Sequence, residues 1–260
     1  MTLSIRILGC GSSGGVPRLG GLWGDCDPNN PKNTRTRCSA LVTRTTDNGV
    51  TRVLIDTSPD LRTQLLAADA GELDAVVYTH SHADHVHGLD DIRMVVYNIG
   101  KRLPVWADAD TSNQLIARFG YAFVQPAGSS YHLNTITGDV TIDGAGGPIT
   151  LTPFEVEHGN INALGFRIGN AAYLPDVSNI PESAWAKLND LDLWIVDALR
   201  RTPHPTHAHL EKTLGWIKQQ APKRAVLTNM HIDLDYQTVA DETPDHIQPA
   251  YDGLTLTLED

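Results

Sequence analysis

Three imidazoles and one carboxylate fall within six residues at His80-Ser81-His82-Ala83-Asp84-His85. Imidazole and carboxylate are ligands suited to zinc, manganese or iron. Alternate residues of an extended segment point to one side, so His80 and His82 can share an ion. Asp84 and His85 are neighbours and would point apart on a strand. A turn ahead of a helix lets both aim at a second ion. A solvated polar loop is the plain alternative, and four metal-competent residues in six make it a poor one.

The elements around the cluster follow from periodicity. Asp74-Ala75-Val76-Val77-Tyr78-Thr79 reads as a buried strand that runs directly into it. Residues 2–8 alternate as a strand. Residues 9–32 form a long loop rich in Gly, Pro, Asn and Asp, of the length that is usually functional or disordered. Strands follow at 39–45 and 52–56, joined by the turn signal Asp47-Asn48-Gly49. Helices are predicted at 59–70, 89–98 and 109–119, with a strand at 103–107. The second half predicts strands near 131–137, 139–142, 149–157, 163–168 and 171–174. A helix follows Pro181. A buried strand starts at Leu193, a helix covers 209–220, and strands cover 224–228 and 254–258. Two blocks of strands, each with helices, predict two sheets packed face to face with helices outside, an α/β sandwich in one domain over residues 1–260.

Charge narrows the partners. Twenty Lys+Arg against 31 Asp+Glu give a net charge of −11, whereas gripping long nucleic acid needs a basic face. No stable nucleic-acid partner is expected. No run approaches the roughly 20 apolar residues of a membrane span, and the opening residues read as a strand rather than a signal peptide. No membrane partner is expected. Three cysteines, Cys10, Cys26 and Cys38, are an odd count without a Cys-x-x-Cys pair. They predict a reducing cytoplasm rather than a disulfide scaffold, with Cys10 and Cys38 as buried thiols. A symmetric homodimer is the commonest assembly and the default expectation.

The pattern His80-x-His82-x-Asp84-His85 resembles the signature of the metallo-β-lactamase-fold hydrolases, and the likeness spans almost the whole chain. Phe154-Glu155-Val156-Glu157-His158-Gly159 resembles the family's His at a strand end. Tyr173-Leu174-Pro175-Asp176 resembles its strand-ending Asp. Leu227-Thr228-Asn229-Met230-His231 resembles the strand that ends in its last His. The resemblance implies a four-layer αββα sandwich of two mixed β-sheets flanked by helices. It implies two divalent ions, zinc or manganese with iron as a further option. The first would be held by His80, His82 and His158, the second by Asp84, His85 and His231, with Asp176 bridging. In close relatives the last ligand directly follows the threonine that corresponds to Thr228. Asn229 stands there, so His231 as ligand implies a shift in strand geometry.

Within the family the nearest resemblance is to the phosphoribosyl cyclic phosphodiesterases of the carbon–phosphorus lyase pathway. Gly9-Cys10-Gly11-Ser12-Ser13-Gly14 matches a dinucleotide fingerprint by letters, but Gly15, Pro17, Gly20 and Gly21 deny the helix that motif needs. The loop resembles instead that branch's Gly-rich turn, which continues with Gly15-Val16-Pro17-Arg18. Thr206-His207-Ala208-His209-Leu210 resembles the stretch that bears a catalytic His outside the metal shell. The resemblance places His207 as proton donor, with His209 the other candidate, and puts Asp84 in the catalytic set. His207, His209 and Arg18 are the candidate substrate contacts. Arg35 and Arg37 either reach a phosphate or are ordinary surface residues. His87 either supports a ligand or caps a helix, and Asp197 either orients a histidine or caps a loop. The branch's structural zinc site needs three early cysteines; only Cys26 lies in that stretch, so no third zinc is expected.

The function implied is a phosphodiesterase that works through a metal-bound hydroxide on a small nucleotide-like or cyclic ribose phosphate. Three alternatives share the ligand types: transfer-RNA 3′ processing of the ribonuclease Z kind, thioester hydrolysis of the glyoxalase II kind, and a non-catalytic binder of the cofactor-biosynthesis kind. No Gly/Pro- and Lys-rich insert suggests the tRNA-gripping arm of the first.

Overall fold

The computed structural model of the protein describes residues 2–123 and 130–258. In chain order the elements are β1 (Thr2–Gly9), β2 (Ser39–Thr46), β3 (Gly49–Ile55), α1 (Leu61–Ala67), β4 (Ala75–Val77), α2 (Ala83–Val86), α3 (Arg93–Ile99), β5 (Leu103–Ala107), α4 (Ala109–Phe123), β6 (Tyr131–Thr135) and β7 (Val140–Ile142). Then come β8 (Ile149–His158), β9 (Ile161–Ile168), β10 (Ala171–Leu174), α5 (Glu182–Trp185), β11 (Leu193–Asp197), α6 (Leu210–Gln220), β12 (Arg224–Thr228), α7 (Tyr236–Glu242), β13 (Ile247–Pro249) and β14 (Thr255–Leu258).

The chain divides into two units. The first takes Met1–Leu8, Ser39–Thr150 and Thr255–Asp260; the second takes Gly9–Cys38 and Leu151–Leu254. One seven-stranded sheet has the order β14-β1-β2-β3-β4-β5-β6, the other β13-β12-β11-β10-β9-β8-β7. Both are mixed, as expected. In the first sheet β2 and β3 are antiparallel around the Asp47-Asn48 turn, with Thr46 opposite Gly49. The pairs β3–β4, β4–β5 and β5–β6 are parallel. Parallel neighbours need a crossover, which α1, then α2 with α3, then α4 supply. In the second sheet β10–β11, β11–β12 and β12–β13 are parallel, with α5, α6 and α7 in the crossovers.

Packing in the first unit explains its helices. Leu41, Leu54, Val76 and Val105 share one core cluster with Leu61 and Leu65 of α1, Val95 of α3 and Leu115 of α4. Truncating one such residue to alanine costs about 2–5 kcal/mol. In the second unit β10 and β11 are buried at every residue. That fits the continuous apolar runs of parallel strands covered on both faces.

Boundaries differ from the sequence reading where tertiary contacts intervene. The 74–79 strand pairs as a strand only over Ala75–Val77. Beyond it the Tyr78 amide still donates to the Trp106 carbonyl, at 2.8 Å. The helix expected from residue 89 begins at Arg93, because residues 88–92 form turns that bury Leu89 and Ile92. The helix expected over 109–119 leaves helical geometry at Phe119, at φ −127°, and a short helical segment beyond that kink reaches Phe123. Helix α7 and strand β13 carry no strong periodicity and were not expected. Among the described residues no helix is long and apolar enough to cross a membrane.

Candidate metal centre

In the first unit the motif follows β4, which lies parallel to β3 with Ile55 opposite Val77. That register brings the end of β3 beside the residue that precedes the motif. Asp56 leaves β3 in the left-handed region, at φ 62°, a conformation that Asp tolerates better than most residues. Its carboxylate is fully buried and organises the histidines of the motif. The Thr79 amide donates to Asp56 Oδ1 at 2.8 Å, and the Thr79 hydroxyl to Oδ2 at 2.8 Å. That hydroxyl proton is thereby spent, so Thr79 Oγ1 accepts from His80 Nδ1 at 2.9 Å. His85 Nδ1 donates to Asp56 Oδ2 at 2.7 Å. Burial pushes the Asp56 carboxyl above its ordinary range, although His85 and Thr79 pull it down.

One carboxylate therefore sets the tautomer of two histidines. With Nδ1 protonated, Nε2 carries the lone pair. His85 Nε2 lies 3.8 Å from Asp84 Oδ2. The His80 ring is 4.7 Å from that of His82 and 4.3 Å from that of His85. The i, i+2 reasoning thus brings the first two together, and the turn into α2 brings His85 alongside. His87 closes α2 as its C-terminal cap, with its ring 5.9 Å from Phe119.

The second unit places its candidates singly, beyond the C-terminal ends of strands. His158 ends β8, and its Nδ1 donates to the Thr206 carbonyl at 2.7 Å. Gly159 makes this approach possible: it sits at φ 66°, and a Cβ there would meet Thr206 Cγ2 at 2.4 Å. His158 Nε2 lies 3.5 Å from Asp176 Oδ2. Strands β10, β11 and β12 are parallel neighbours, so Asp176, Asp197 and Asn229 meet beyond or at their ends. Asn229 donates to Asp176 Oδ1 at 3.2 Å and lies 3.2 Å from His207 Nδ1. His207 Nδ1 donates to Asp197 Oδ2 at 2.9 Å. Burial pushes the Asp197 carboxyl up to about 7, against the pull of His207. The His207 ring is 4.6 Å from His158 and 5.3 Å from His204.

His231 has its own support. Its Nδ1 donates to Asp233 Oδ1 at 3.1 Å, and its Nε2 lies against the Arg18 guanidinium. Of the two residues considered at the end of β12, the structure puts Asn229, at φ 59°, on Asp176. His209 is the N-cap residue of α6 without a side-chain cap bond. Arg35 is not an ordinary surface residue. It is 1% exposed, and it donates to Asn33 Oδ1 and to the His231 carbonyl. Cys10 and Cys38 are buried free thiols, as expected, and Cys26 is one too.

Asp56, Thr79, Thr206 and Asp233 escaped the sequence reading as supports. Asp197 was legible only as one of two options, and its bond to His207 decides for orientation. An Asp ending an apolar run, as in Leu54-Ile55-Asp56, was the available signal for the first of these.

In each unit a histidine with a fixed tautomer faces a carboxylate, the donor chemistry of a metal centre. The chain belongs to the β-lactamase superfamily, whose domain model matches residues 51–232. It is 35% identical to a diphosphatase of the PhnP family of known crystal structure, with a TM-score of 0.88 over 99% of this chain and 98% of that one. Zinc-bound PqqB of Methylobacterium extorquens shares the fold at 20% identity, with a TM-score of 0.74 over 98% of this chain and all of that one. An octanoyltransferase of Porphyromonas gingivalis W83 is 34% identical across 98% of this chain. The chain spans about half the length of that relative, 51%.

Proposed function

We propose that this protein is a dinuclear metal-dependent phosphodiesterase for a small nucleotide-like or cyclic ribose phosphate. The likeness to a diphosphatase adds diphosphate esters to that class. The observation that carries the reading is repeated in both units. An imidazole fixed through Nδ1 turns its Nε2 lone pair toward a carboxylate oxygen, His85 to Asp84 at 3.8 Å and His158 to Asp176 at 3.5 Å. Two electron-rich groups that face each other this way suit a shared cation. His80, His82 and His158 are assigned to the first ion. Asp84, His85 and His231 are assigned to the second, with Asp176 common to both. Zinc and manganese suit this donor set equally, and iron is compatible. Family membership supports treating residues 1–260 as one hydrolase domain.

Divalent ions held there would supply Lewis acidity toward phosphoryl oxygens and a nucleophile near neutral pH. The chain's own residues do the rest. Asp84 is a ligand at the reacting centre. Arg18 donates to the substrate phosphate, since a guanidinium matches two phosphate oxygens at once. His207, protonated on both nitrogens, gives its Nε2 proton to the leaving oxygen. Asp197 orients the ring and stabilises its positive charge. His209, two residues on, lines the substrate side. Burial of all three thiols supports a cytoplasmic setting.

The relative named for octanoyl transfer favours one second reading, an acyl substrate. A single assay separates the two. The protein, loaded with zinc or with manganese, is given a ribose cyclic phosphate, a 2′,3′-cyclic nucleotide, a nucleotide diphosphate ester and an acyl thioester. Turnover of a phosphate ester, lost in His82→Ala together with bound metal, is the expected result. Turnover of the thioester alone overturns the phosphodiesterase reading.

A further inference from the structure

His204 and His207 stand side by side in the second unit, on the loop between β11 and α6, and their supports differ in kind. Their rings are 5.3 Å apart and tilted by 52°. His207 Nδ1 faces a carboxylate, Asp197 Oδ2, at 2.9 Å. His204 Nδ1 faces a backbone amide instead. The Thr206 N–H donates to it at 3.3 Å, and the Thr206 hydroxyl lies 3.2 Å away. An amide N–H can only donate. His204 Nδ1 therefore carries the lone pair, and the ring's one proton sits on Nε2. A proton added at Nδ1 would be set against the Thr206 N–H. Burial, and then the charges of His207, Arg200 and His231, also hold the His204 pKa below its ordinary value. A carboxylate partner lets His207 become a cation, whereas an amide partner keeps His204 neutral.

The loop is built to hold this pair. Pro203 and Pro205 flank His204, and each fixes its own φ. Arg200 bonds two carbonyls of its own loop, Nε to Thr202 at 3.0 Å and Nη2 to Pro203 at 2.6 Å. The Ala208 amide donates to the Val177 carbonyl at 2.6 Å, and the Leu210 amide to the Arg200 carbonyl at 2.9 Å. Thr206 serves two rings, since its carbonyl accepts from His158 Nδ1 at 2.7 Å. His204 is half-buried, and its Nε2 has no hydrogen-bond partner among the described residues. A neutral donor, fixed on its far side, is thus left for a group from outside the chain.

We propose that His204 determines specificity for the leaving group: its Nε2–H holds a second oxygen of that group while His207 serves the ester oxygen. The inference rests on the phosphodiesterase reading and on His207 as its proton donor. Two ring donors this close serve two oxygens of one group. The leaving groups that fit carry an acceptor oxygen beside the one that departs, as a phosphate does in a diphosphate ester and a sugar does in a ribose ester. His204 transfers nothing. A water oxygen bonds to phosphorus, the bond to the leaving oxygen breaks, and that oxygen takes the His207 Nε2 proton. His207 is reprotonated from solvent, and His204 keeps its own proton. Its neutrality matters, because a second imidazolium beside His207 would disfavour the charged, acid form of the first. A leaving group without the second oxygen leaves the His204 donor unpaired and is rejected for that reason.

The test compares leaving groups. Metal-loaded protein is given thymidine diphosphate glucose, a 2′,3′-cyclic nucleotide and thymidine 5′-(4-nitrophenyl) phosphate, whose phenolate has no oxygen beside the one that departs. His204→Phe keeps a ring and removes the donor, while His204→Gln puts an amide N–H near the place of Nε2. His204→Phe should lower kcat/KM about tenfold more for the first two substrates than for the nitrophenyl ester, the worth of one hydrogen bond. His204→Gln should recover most of that difference. Either of the first two can show the deeper loss in support of the inference: the diphosphate if the second oxygen belongs to a phosphate, the cyclic nucleotide if it belongs to a sugar. An equal loss on all three overturns it. So does a moved basic limb of kcat/KM against pH in His204→Phe, which would make His204 act only through His207. No turnover of any of the three by the wild type overturns the phosphodiesterase reading and the inference with it, a distinguishable failure. Nitrogen NMR gives a readout apart from activity. At about pH 7, His204 should be the neutral Nε2–H tautomer, and an Nδ1–H tautomer or an imidazolium there overturns its role as a neutral donor.

Discussion

The two units hold their histidines by opposite strategies. In the first, one buried carboxylate, Asp56, orients His85 directly and His80 through Thr79, and both belong to a single six-residue motif. In the second, each histidine has its own support: the Thr206 carbonyl for His158, Asp197 for His207 and Asp233 for His231. Concentrated support is rigid and fails as a whole. Distributed support lets separate functions be damaged separately. The difference follows from chain geometry, since a contiguous motif can share one neighbour across a parallel strand pair, while residues from β8 and the ends of β11 and β12 cannot.

The largest expected effect tests the separability of the second unit. His207→Ala should lower turnover by about 10²–10⁴-fold, the usual worth of a positioned acid, with metal content unchanged on elemental analysis. Metal loss along with activity would instead make His207 part of the ligand shell. Next comes the shared support of the first unit. Asp56→Ala should weaken metal binding by about 10–100-fold, as other losses of ligand support do, and lower thermal stability too. A loss confined to one of the two ions in a metal titration would break the comparison. Asp233→Ala disturbs His231 alone, so only the second metal equivalent should weaken, by about tenfold.

The smallest effect lies away from the histidines. Asp235 caps α7, with Oδ1 accepting from the Thr238 amide at 2.9 Å, while Oδ2 accepts from the Asp27 amide and from Asn33. Burial raises its carboxyl, but these donors outweigh burial and hold it down at about 2. Its folded value lies below the ordinary carboxylate value of about 3.9. The stabilisation is therefore present above pH of about 4 and is lost as pH falls toward 2. Asp235→Ala should cost about 1 kcal/mol at neutral pH, the worth of an N-cap, without touching activity. The acid loss of melting temperature between pH 4 and 2 should be shallower in that variant. An equally steep loss would remove Asp235 as its source.

How much was legible depended on range along the chain. The motif at 80–85, the hairpin at Asp47-Asn48-Gly49 and the buried strands carry their signal within a few residues, so they could be read directly. Asp197 was half legible, because an Asp at the end of an apolar run signals a strand end but not its partner. Helix α7 and β13 were missed: each is short, and what defines them is the last parallel pairing, Ala225 opposite Ile247.

The sequence alone determined the metal-competent cluster at 80–85 and the α/β class, because residue chemistry and periodicity are local properties. Only the tertiary structure decided which group holds which. Asp56 reaches His85 across 29 positions, and Asn229 reaches Asp176 across 53. It also decided that Asn229 rather than His231 lies on Asp176, and that Arg18 lies on His231. A hydrogen bond is short and directional, so its partners are set by strand register and backbone turn, neither of which the order of residues displays.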